Sequence, residues 1–261
     1  MKIDPASPWF SHGNYRVFYL PETDSTNTRM KLWARGDCPV SPACALQPYD
    51  LIAANLQTGG RGRLGRQFVS PGSGLYFSVL IPEASPERAA RCTPVCAAAM
   101  ALALEGMGFQ DIGVKWVNDL YRRGRKIAGI LCEWIPEGVV CGIGLNVTAP
   151  PGGFPKEAGP AGALSDSPVC AEEILSRFMD ALRALLQDPS RAHRVYRERM
   201  FLLGQHVTCA RGREYLSGVC EDVGEDYSLL LRLEDGKEIA LSSGEVIHVR
   251  PKEEHDASGI V

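Results

Sequence analysis

Two kinds of hydrophobic pattern follow one another along most of the chain. Short apolar runs typical of strands occur in six places: Tyr15–Leu20, Leu51–Leu56, Leu75–Ile81, Ile112–Trp116, Lys126–Ile135 and Val139–Val147. Apolar residues at helical spacing predict four helices: Thr28–Arg35, Pro86–Met107, Ala171–Leu186 and Ser190–Phe201. Segments rich in Pro, Gly and Ser predict loops at Pro39–Pro48 and Thr148–Pro168. Together these elements predict one large domain with a full core.

The pattern changes after Leu203. Five short strand-like runs, separated by Gly and Asp turns, follow within a short stretch: His206–Arg211, Tyr215–Val223, Tyr227–Glu234, Glu238–Leu241 and Val246–Arg250. Closely spaced short strands of this kind favour a small barrel. We therefore predict a main domain over residues 1–203, a small barrel over 204–251 and a disordered tail over 252–261.

Composition narrows the functional class. The chain has 261 residues, of which 45% are hydrophobic and 23% charged, as in ordinary soluble globular proteins. Its formal net charge of −3 disfavours a general nucleic-acid binder, whose domain is usually basic. No apolar run reaches the roughly 18 residues that span a bilayer, and the N-terminal residues lack the apolar core of a signal peptide. A cytoplasmic location without membrane attachment is the default expectation.

The cysteines give no indication of a metal site. There are nine, an odd number, and they are scattered through apolar stretches, which is typical of reduced and mostly buried thiols. Cys92 and Cys96 lie one helical turn apart, but no second ligand pair accompanies them. The five histidines are dispersed as well. We therefore predict no metal site in the protein.

The loop from Gly60 to Arg66 carries the clearest chemical signal. Its sequence, Gly-Arg-Gly-Arg-Leu-Gly-Arg, alternates glycine with arginine and contains no acidic residue. Glycine lets backbone N–H groups approach a ligand closely, and arginine offers fixed donors suited to phosphate or carboxylate. The segment therefore predicts a flap over a small anion. The competing interpretation is a solvated hairpin tip, which is common for charged glycine-rich loops.

Three further segments combine polar groups with strand ends. Asn118 and Asp119 follow an apolar strand, and Lys126 opens the next one, where a core would meet a cleft. Two glycines and an amide occur in Gly-Ile-Gly-Leu-Asn-Val, which ends at Val147. Each feature alone has an ordinary structural interpretation as a turn, an exposed lysine or a tight packing site. The residues Ser25–Asn27 could likewise serve only as a helix cap.

Taken together and in this order, the motifs resemble those of the biotin–protein ligases. They are Ser-Thr-Asn from Ser25, Gln57 with the Gly/Arg loop, Ser-Pro-x-x-Gly-Leu, Lys-Trp-x-Asn-Asp-Leu, Lys-x-x-Gly-Ile-Leu and Gly-x-Gly-x-Asn-Val. The resemblance spans Tyr15–Val147 and extends weakly to Arg250. It implies an α+β fold: a mixed, largely antiparallel sheet flanked by helices, with a small SH3-like β-barrel at the C-terminus. It also implies the short form of the family, without a DNA-binding domain.

The resemblance implies ligation of biotin to a lysine of a biotin carboxyl carrier domain through biotinyl-5′-AMP, with ATP and Mg²⁺. The implied catalytic residues are Arg63, Lys126 and Asp119. The implied biotin-binding residues are Ser25, Thr26, Asn27, Gln57, Arg61, Gly62, Arg63, Lys126 and Gly129. The implied nucleotide-binding residues are Gly60, Arg61, Arg63, Arg66, Phe68, Asn118 and Asn146. Neither DNA nor a membrane is an implied partner, and a homodimer is left open.

The chain departs from the family pattern at two positions. Val117 stands where the family usually has Pro, which would relax the turn before Asn118. Phe68 stands where it usually has Trp, which keeps an aromatic plane but loses the indole donor. Two other functions stay open at this point. One is lipoate or octanoate transfer on a related fold, and the other is a non-catalytic biotin-binding module.

Overall fold

The computed structural model describes residues 10–12, 15–37, 45–82 and 85–250. Its first sheet contains β1 (Phe10–His12), β2 (Tyr15–Thr23), β3 (Leu51–Gln57), β4 (Leu75–Ile81), β5 (Ile112–Lys115), β6 (Asp119–Arg122), β7 (Arg125–Ile135) and β8 (Gly138–Leu145). The strand order is β1-β2-β3-β4-β8-β7-β6-β5. Only the pair β2–β3 is parallel, so the sheet is mixed and largely antiparallel, as predicted.

Four helices in the described part of the chain cover this sheet: α1 (Thr26–Ala34), α2 (Pro86–Gly106), α3 (Ala171–Gln187) and α4 (Pro189–Arg199). The alanine-rich α2 lies buried among the residues of the main core, and α3 packs against it through an apolar face that includes Phe178 and Leu182. A second cluster, with Met30 and Trp33 of α1 against Phe18, forms on the other side. No helix among the described residues is long and apolar enough to cross a bilayer.

Helix α1 and strand β6 differ from the sequence prediction in ways that matter for the site. Helix α1 begins at Thr26, so Thr26 and Asn27 lie inside the helix and are buried. Ser25 is its N-cap, but the Ser25 side chain makes no capping hydrogen bond. Strand β6 was not predicted, because the polar residues after Asn118 have no strand-like hydrophobic alternation. The predicted loop after Val147 is confirmed, apart from one 3₁₀ turn at Lys156–Ala158.

The C-terminal residues form a second, antiparallel sheet. Its strands are β9 (His206–Arg211), β10 (Glu214–Val223), β11 (Leu229–Leu233), β12 (Glu238–Leu241) and β13 (Glu245–Arg250), in the order β12-β11-β10-β9-β13. Among the described residues the edge strands β12 and β13 do not pair, so the sheet is open and the predicted closed barrel is not confirmed. The predicted tail 252–261 and most of the loop Pro39–Pro48 lie outside the described residues.

The second sheet packs directly on the first part of the chain. Trp116 Nε1 donates a 2.9 Å hydrogen bond to the carbonyl oxygen of Tyr227, and the rings of Tyr196 and Tyr227 meet edge to face. Buried residues of both sheets, such as Val114 of β5 and Val246 of β13, belong to one continuous core. The linker between α4 and β9 contains Leu203, and the domain boundary there stays a prediction. The packing keeps the start of β13 beside the end of β5.

Candidate active site

A cavity of about 280 Å³ opens where the first sheet, the start of α1 and the second sheet meet. The loop that joins β3 to β4 forms one wall, and the residues around Pro160 form part of another. Five cationic and three acidic side chains line it: Arg61, Arg63, Arg66, Lys115, Lys126, Asp119, Glu157 and Glu245. The wall is therefore cationic on balance, although the whole chain carries a net negative charge. Such a surface favours an anionic ligand.

The backbone of the Gly/Arg loop folds tightly at its tip. Leu64 and Gly65 have φ angles of 56° and 74°, in the left-handed region that glycine adopts most easily. A Cβ atom at Gly60 would lie 2.2 Å from the carbonyl oxygen of Phe68, so glycine is required there. Arg61 and Gln67 form an isolated bridge that closes the loop on itself. The loop thus presents its arginines from a compact hairpin.

Two arginines of the loop are held by the neighbouring elements. Arg63 Nη1 donates to Asn118 Oδ1 over 3.1 Å, and its Nη2 donates to the carbonyl oxygen of Gly244 over 3.0 Å. Arg66 forms a short ion pair with Glu245 at the start of β13. Within the described residues Arg63 has no carboxylate partner, so its charge is fixed in place without being neutralised. The second sheet therefore positions the loop over the cavity.

Lys126 and Asp119 form the central ion pair of the cavity. Lys126 Nζ lies 2.7 Å from Asp119 Oδ1, and both side chains keep about a fifth to a quarter of their exposure. Asn118 Nδ2 donates to the same Asp119 Oδ1 over 2.9 Å and to the carbonyl oxygen of Ile130 over 3.2 Å. Asn118 therefore links Arg63 to Asp119. A cation and a carboxylate are held side by side at the edge of the cavity.

At the other end of the cavity, amide and hydroxyl groups form a buried polar cluster. The Thr26 N–H donates to Gln57 Oε1 over 2.9 Å. Ser78 Oγ donates to Asn27 Oδ1 over 2.6 Å and lies 2.8 Å from Thr26 Oγ1. Asn27 Nδ2 donates to the carbonyl oxygen of Leu131 over 3.2 Å. These contacts fix the orientation of each polar group, as recognition of a small polar ring requires.

Glu133 supports this cluster from behind. Its Oε2 accepts a 2.9 Å hydrogen bond from Asn27 Nδ2, and its Oε1 lies 2.8 Å from Lys31 Nζ and 3.9 Å from Arg61 Nη2. Burial alone would raise the pKa of Glu133, but the hydrogen bonds from Lys31 and Asn27 and the nearby positive charges lower its pKa overall. An ionised Glu133 thus ties helix α1 to the Gly/Arg loop.

Phe68 lies over two glycines in the middle of the sheet. A Cβ atom at Gly144 would come within 2.5 Å of the Phe68 ring, and one at Gly129 would come within 3.0 Å. On β8, which also carries Gly144, a Cβ atom at Gly142 would lie 2.1 Å from Asn27 Oδ1. Other side chains therefore approach the backbone of β8 closely, as the two glycines in its sequence predict. Gly142 makes room for the amide cluster, and Gly144 makes room for the aromatic ring.

Lys115 is the fifth cation of the cavity and is partly buried. Burial lowers the pKa of Lys115, while Asp119 and Glu245 act in the opposite direction. Its Nζ lies 5.9 Å from the centre of the Tyr121 ring. Burial is also the main cause that raises the pKa of Tyr121 to about 12. Tyr121 is therefore a neutral hydrogen-bonding group at neutral pH.

Comparison with known proteins assigns this chain to a family. The model of the biotin/lipoate A/B protein ligase family matches residues 21–147. The biotin--[acetyl-CoA-carboxylase] ligase of Mycobacterium tuberculosis is 31% identical over 215 residues, which cover 77% of this chain and 79% of that protein. The chain belongs to the biotin protein ligase family. It is therefore a ligase.

Two further proteins support this membership over most of their length. The biotin--[acetyl-CoA-carboxylase] ligase of Paracoccus denitrificans is 29% identical over 84% of this chain and 95% of that protein. The solved structure of the biotin protein ligase from Aquifex aeolicus in complex with biotin and ATP superposes with a TM-score of 0.73 at 26% identity. That superposition covers 90% of this chain and 98% of the other. The neighbour supports an α+β biotin protein ligase fold.

Most of the residues that sequence motifs suggested for a biotin protein ligase converge on this one cavity. The lining includes Ser25, Thr26, Asn27, Gln57, Arg61, Gly62, Arg63, Arg66, Phe68, Asn118, Asp119, Lys126 and Gly129. Two suggested residues do not line it. Gly60 is buried against the backbone carbonyl of Phe68, and Asn146 donates to the carbonyl oxygens of Gly162 and Lys126 over 3.2 and 3.5 Å. Asn146 thus braces the strand that carries Lys126.

Sequence motifs missed several residues that the biotin protein ligase fold brings to the site. Examples are Lys115 and Glu245 on the wall, and Ser78 and Glu133 behind it. Lys115 opens the Lys-Trp-x-Asn-Asp-Leu motif, so a search for charged motif residues could have found it. Ser78 and Glu133 are isolated in apolar strands, and only the strand register brings them to Asn27. The peptide bond before Val117, at the family's usual Pro position, is cis.

Proposed function

We propose that this protein joins biotin to a specific lysine of a biotin carboxyl carrier domain through a biotinyl-5′-AMP intermediate. The observation that carries the proposal is the layout of the cavity. A neutral cluster of amides and hydroxyls at one end adjoins a wall of fixed cations at the other. Biotin has the matching shape, since its ureido ring is polar and neutral and its chain ends in a carboxylate. The relatives' names, which specify biotin and acetyl-CoA carboxylase, support the same substrates.

In the first step, the biotin carboxylate attacks the α-phosphate of ATP and pyrophosphate leaves. Two anions must approach each other, so the reaction needs fixed positive charge around both. Arg63 and Lys126 serve this purpose, because each projects from a different wall of the same cavity. Neutral acceptors hold Arg63, and the ion pair with Asp119 holds Lys126. Charge that develops on the oxygens in the transition state is then stabilised without reorganisation of the site.

One end of the cavity binds biotin, and the other end binds the nucleotide. Thr26, Asn27 and Gln57, together with Ser25, supply the hydroxyls and amides for the ureido ring. Phe68 offers an aromatic face for the adenine base, in the absence of the indole donor of a Trp. Arg61 and Arg66 hold the loop and the nucleotide. Closure of the loop would exclude water and protect the mixed anhydride until the acceptor arrives.

In the second step, the acceptor amine attacks the carbonyl carbon of the anhydride, and AMP leaves. A lysine amine must lose a proton before it can attack. Asp119 is the carboxylate in position to accept that proton or to orient the amine, since it lies at the rim of the cavity. Its contacts with Lys126 and Asn118 fix its position and orientation. The products are an amide on the carrier, AMP and a proton.

Mg²⁺ enters this reaction bound to ATP as part of the substrate. In the described part of the cavity, Asp119 and Glu245 are already paired with cations, and Glu157 is exposed on a loop. Magnesium in nucleotide sites is usually held by the substrate phosphates, water and one or two carboxylates. The residues present fit an ion of that kind. When bound, it neutralises charge on the triphosphate.

The proposal includes a cytoplasmic location and a carrier protein as the only macromolecular partner of the reaction. The described cysteines are all free thiols, as expected in a reducing compartment. A role in binding DNA is not part of the proposal, because the net charge is negative. A homodimer stays a prediction, because the outer edge of β5 is already occupied in part by Met200, which forms a bridge with Val114.

Incubation with biotin, MgATP and a purified carrier domain, followed by intact-mass measurement, tests the proposal. We expect the carrier to gain one biotinyl group, and a carrier with Arg in place of its target lysine to gain none. Parallel reactions with lipoate and octanoate separate the proposal from transfer of those acids. Formation of a lipoyl or octanoyl carrier in preference to biotinyl carrier would refute it. Failure to release pyrophosphate with biotin bound would instead indicate a non-catalytic binding module.

A further inference from the structure

Three thiols meet in the core on the sheet face opposite to α1. They belong to Cys96 on α2, Cys132 on β7 and Cys141 on β8, and all three Sγ atoms lie within 4.8 Å of one another. Cys132 and Cys141 are direct cross-strand neighbours, and Cys96 comes from the helix above them. Because residues alternate between sheet faces, these thiols lie behind the strand positions that contact Asn27.

The three thiols lie in a largely solvent-excluded part of the core. Cys96 and Cys141 are fully buried, whereas Cys132 is only half-buried. No His, Asp or Glu of the described residues joins the three sulfurs in this cluster. A bound atom would thus find three sulfur ligands in a low-dielectric environment. Burial of net charge in such a place is costly.

The number of sulfur ligands and the cost of buried charge decide which kind of atom this site can bind. Structural zinc takes four ligands, and a divalent ion with three thiolates would leave a net negative charge in the core. A trivalent centre with three thiolates is neutral and is satisfied by three sulfur ligands. We propose that Cys96, Cys132 and Cys141 form a binding site for a soft, three-coordinate trivalent centre such as arsenic(III).

The reaction with arsenite involves no redox step. One As(OH)₃ condenses with three thiols to give As(SR)₃ and three molecules of water, so that each As–O bond is replaced by an As–S bond. Each thiol proton leaves in one of the water molecules. The adduct would tie α2 to the two central strands.

Titration of the reduced full-length chain with arsenite tests the site. After equilibration at several temperatures, native mass spectrometry should show one arsenic atom per chain in place of three hydrogens. Alkylation of the remaining thiols should then find three fewer than in the free protein. Binding to the folded state should also raise the thermal midpoint. No adduct at any temperature, or an adduct that consumes other cysteines, overturns the proposal.

Matched variants separate this site from other thiols. Cys132→Ser and Cys141→Ala should each weaken arsenite binding by at least about tenfold, since two sulfurs replace three. Cys209 is a buried cysteine in the second sheet, and the Cys209→Ser variant should bind arsenite as tightly as the natural chain. Far-UV circular dichroism confirms that each variant folds. Equal binding by the Cys132→Ser variant, or loss of binding in the Cys209→Ser variant, contradicts the assignment.

Discussion

Lys126 Nζ lies 2.7 Å from Asp119 Oδ1, so the cation proposed for the first step touches the carboxylate proposed for the second. The pairing follows from the register of β6 and β7, which is shifted between Leu120 and Tyr121. Each partner holds the other in place at the edge of the cavity. Because the two groups have different proposed roles, their substitutions should affect different steps.

Removal of the Lys126 ammonium should block adenylate formation. We expect Lys126→Ala to fold and to release pyrophosphate about 10²–10³-fold more slowly, since a preorganised charge in the transition state is lost. The measurement is biotin-dependent pyrophosphate release, with thermal melting to confirm the fold. Lys237→Ala, which alters an exposed turn of the second sheet, is the control. A rate close to that of the natural chain would remove Lys126 from the mechanism.

Removal of the Asp119 charge should mainly affect the transfer step. Asp119→Asn retains an oxygen that can accept from Asn118 and Lys126, but it is a far weaker base. Single-turnover transfer from preformed biotinyl-5′-AMP to the carrier should fall by about 10²-fold or more. Adenylate formation should fall less. Equal losses in both steps would show that Asp119 acts only through Lys126.

Neutralisation of Glu133 should weaken biotin binding from a distance. Glu133→Gln loosens the hold on Asn27 and Lys31, so calorimetry should show a biotin affinity loss of about 1–2 kcal/mol. Glu137→Gln, in the exposed turn between β7 and β8, is the matched control. Unchanged biotin affinity in Glu133→Gln would show that Asn27 keeps its orientation without this carboxylate.

The same residue should contribute to the acid sensitivity of the fold. The pKa of Glu133 is lowered in the folded state, so its stabilising contribution is present above the pKa of the unfolded chain. That contribution is lost as the pH falls through the folded-state pKa. Denaturant titrations from neutral pH down to about pH 3 should therefore show a shallower loss of unfolding free energy in Glu133→Gln. Parallel curves for the two proteins would contradict the assignment.

Two glycines on β8 should separate the ligand subsites. Gly142→Ala places a methyl group against Asn27, and Gly144→Ala places one against the Phe68 ring. We expect the first to weaken biotin binding and the second to weaken nucleotide binding, each by about tenfold or more. Titrations of each variant with biotin and with a non-hydrolysable ATP analogue compare the two effects. Equal losses of both ligands in both variants would mean that the subsites are not separated in this way.

The pair Arg66–Glu245 should control the mobility of the Gly/Arg loop. The loop contains three trypsin sites, Arg61, Arg63 and Arg66, and biotin with ATP should protect them from cleavage. Glu245→Gln should speed cleavage of the free protein, because the loop loses its ion pair with the second sheet. Glu238→Gln on exposed β12 should cleave at the natural rate. A free loop that resists trypsin as well as the liganded one would contradict the expected closure.

The sequence by itself determined most elements of the fold and many of the residues that line the cavity. Helix α2 and strands β4 and β8 were predictable because local hydrophobic spacing fixes them. The Gly/Arg loop was recognisable because its glycines and arginines must be adjacent in the chain to shape a loop around an anion. Lys126 was recognisable because it begins the Lys-x-x-Gly-Ile-Leu motif. The start of α1 was placed too late, because the buried polar residues Thr26 and Asn27 resemble a cap in sequence.

Only the tertiary structure decided which groups meet. The contacts of Glu133 with Asn27, of Arg66 with Glu245 and among the three core thiols join residues from separate elements. Strand register and the packing of the second sheet create these contacts, and neither is encoded in local hydrophobic spacing. The open form of the second sheet has the same origin, because strand-like runs do not specify whether their edges will pair.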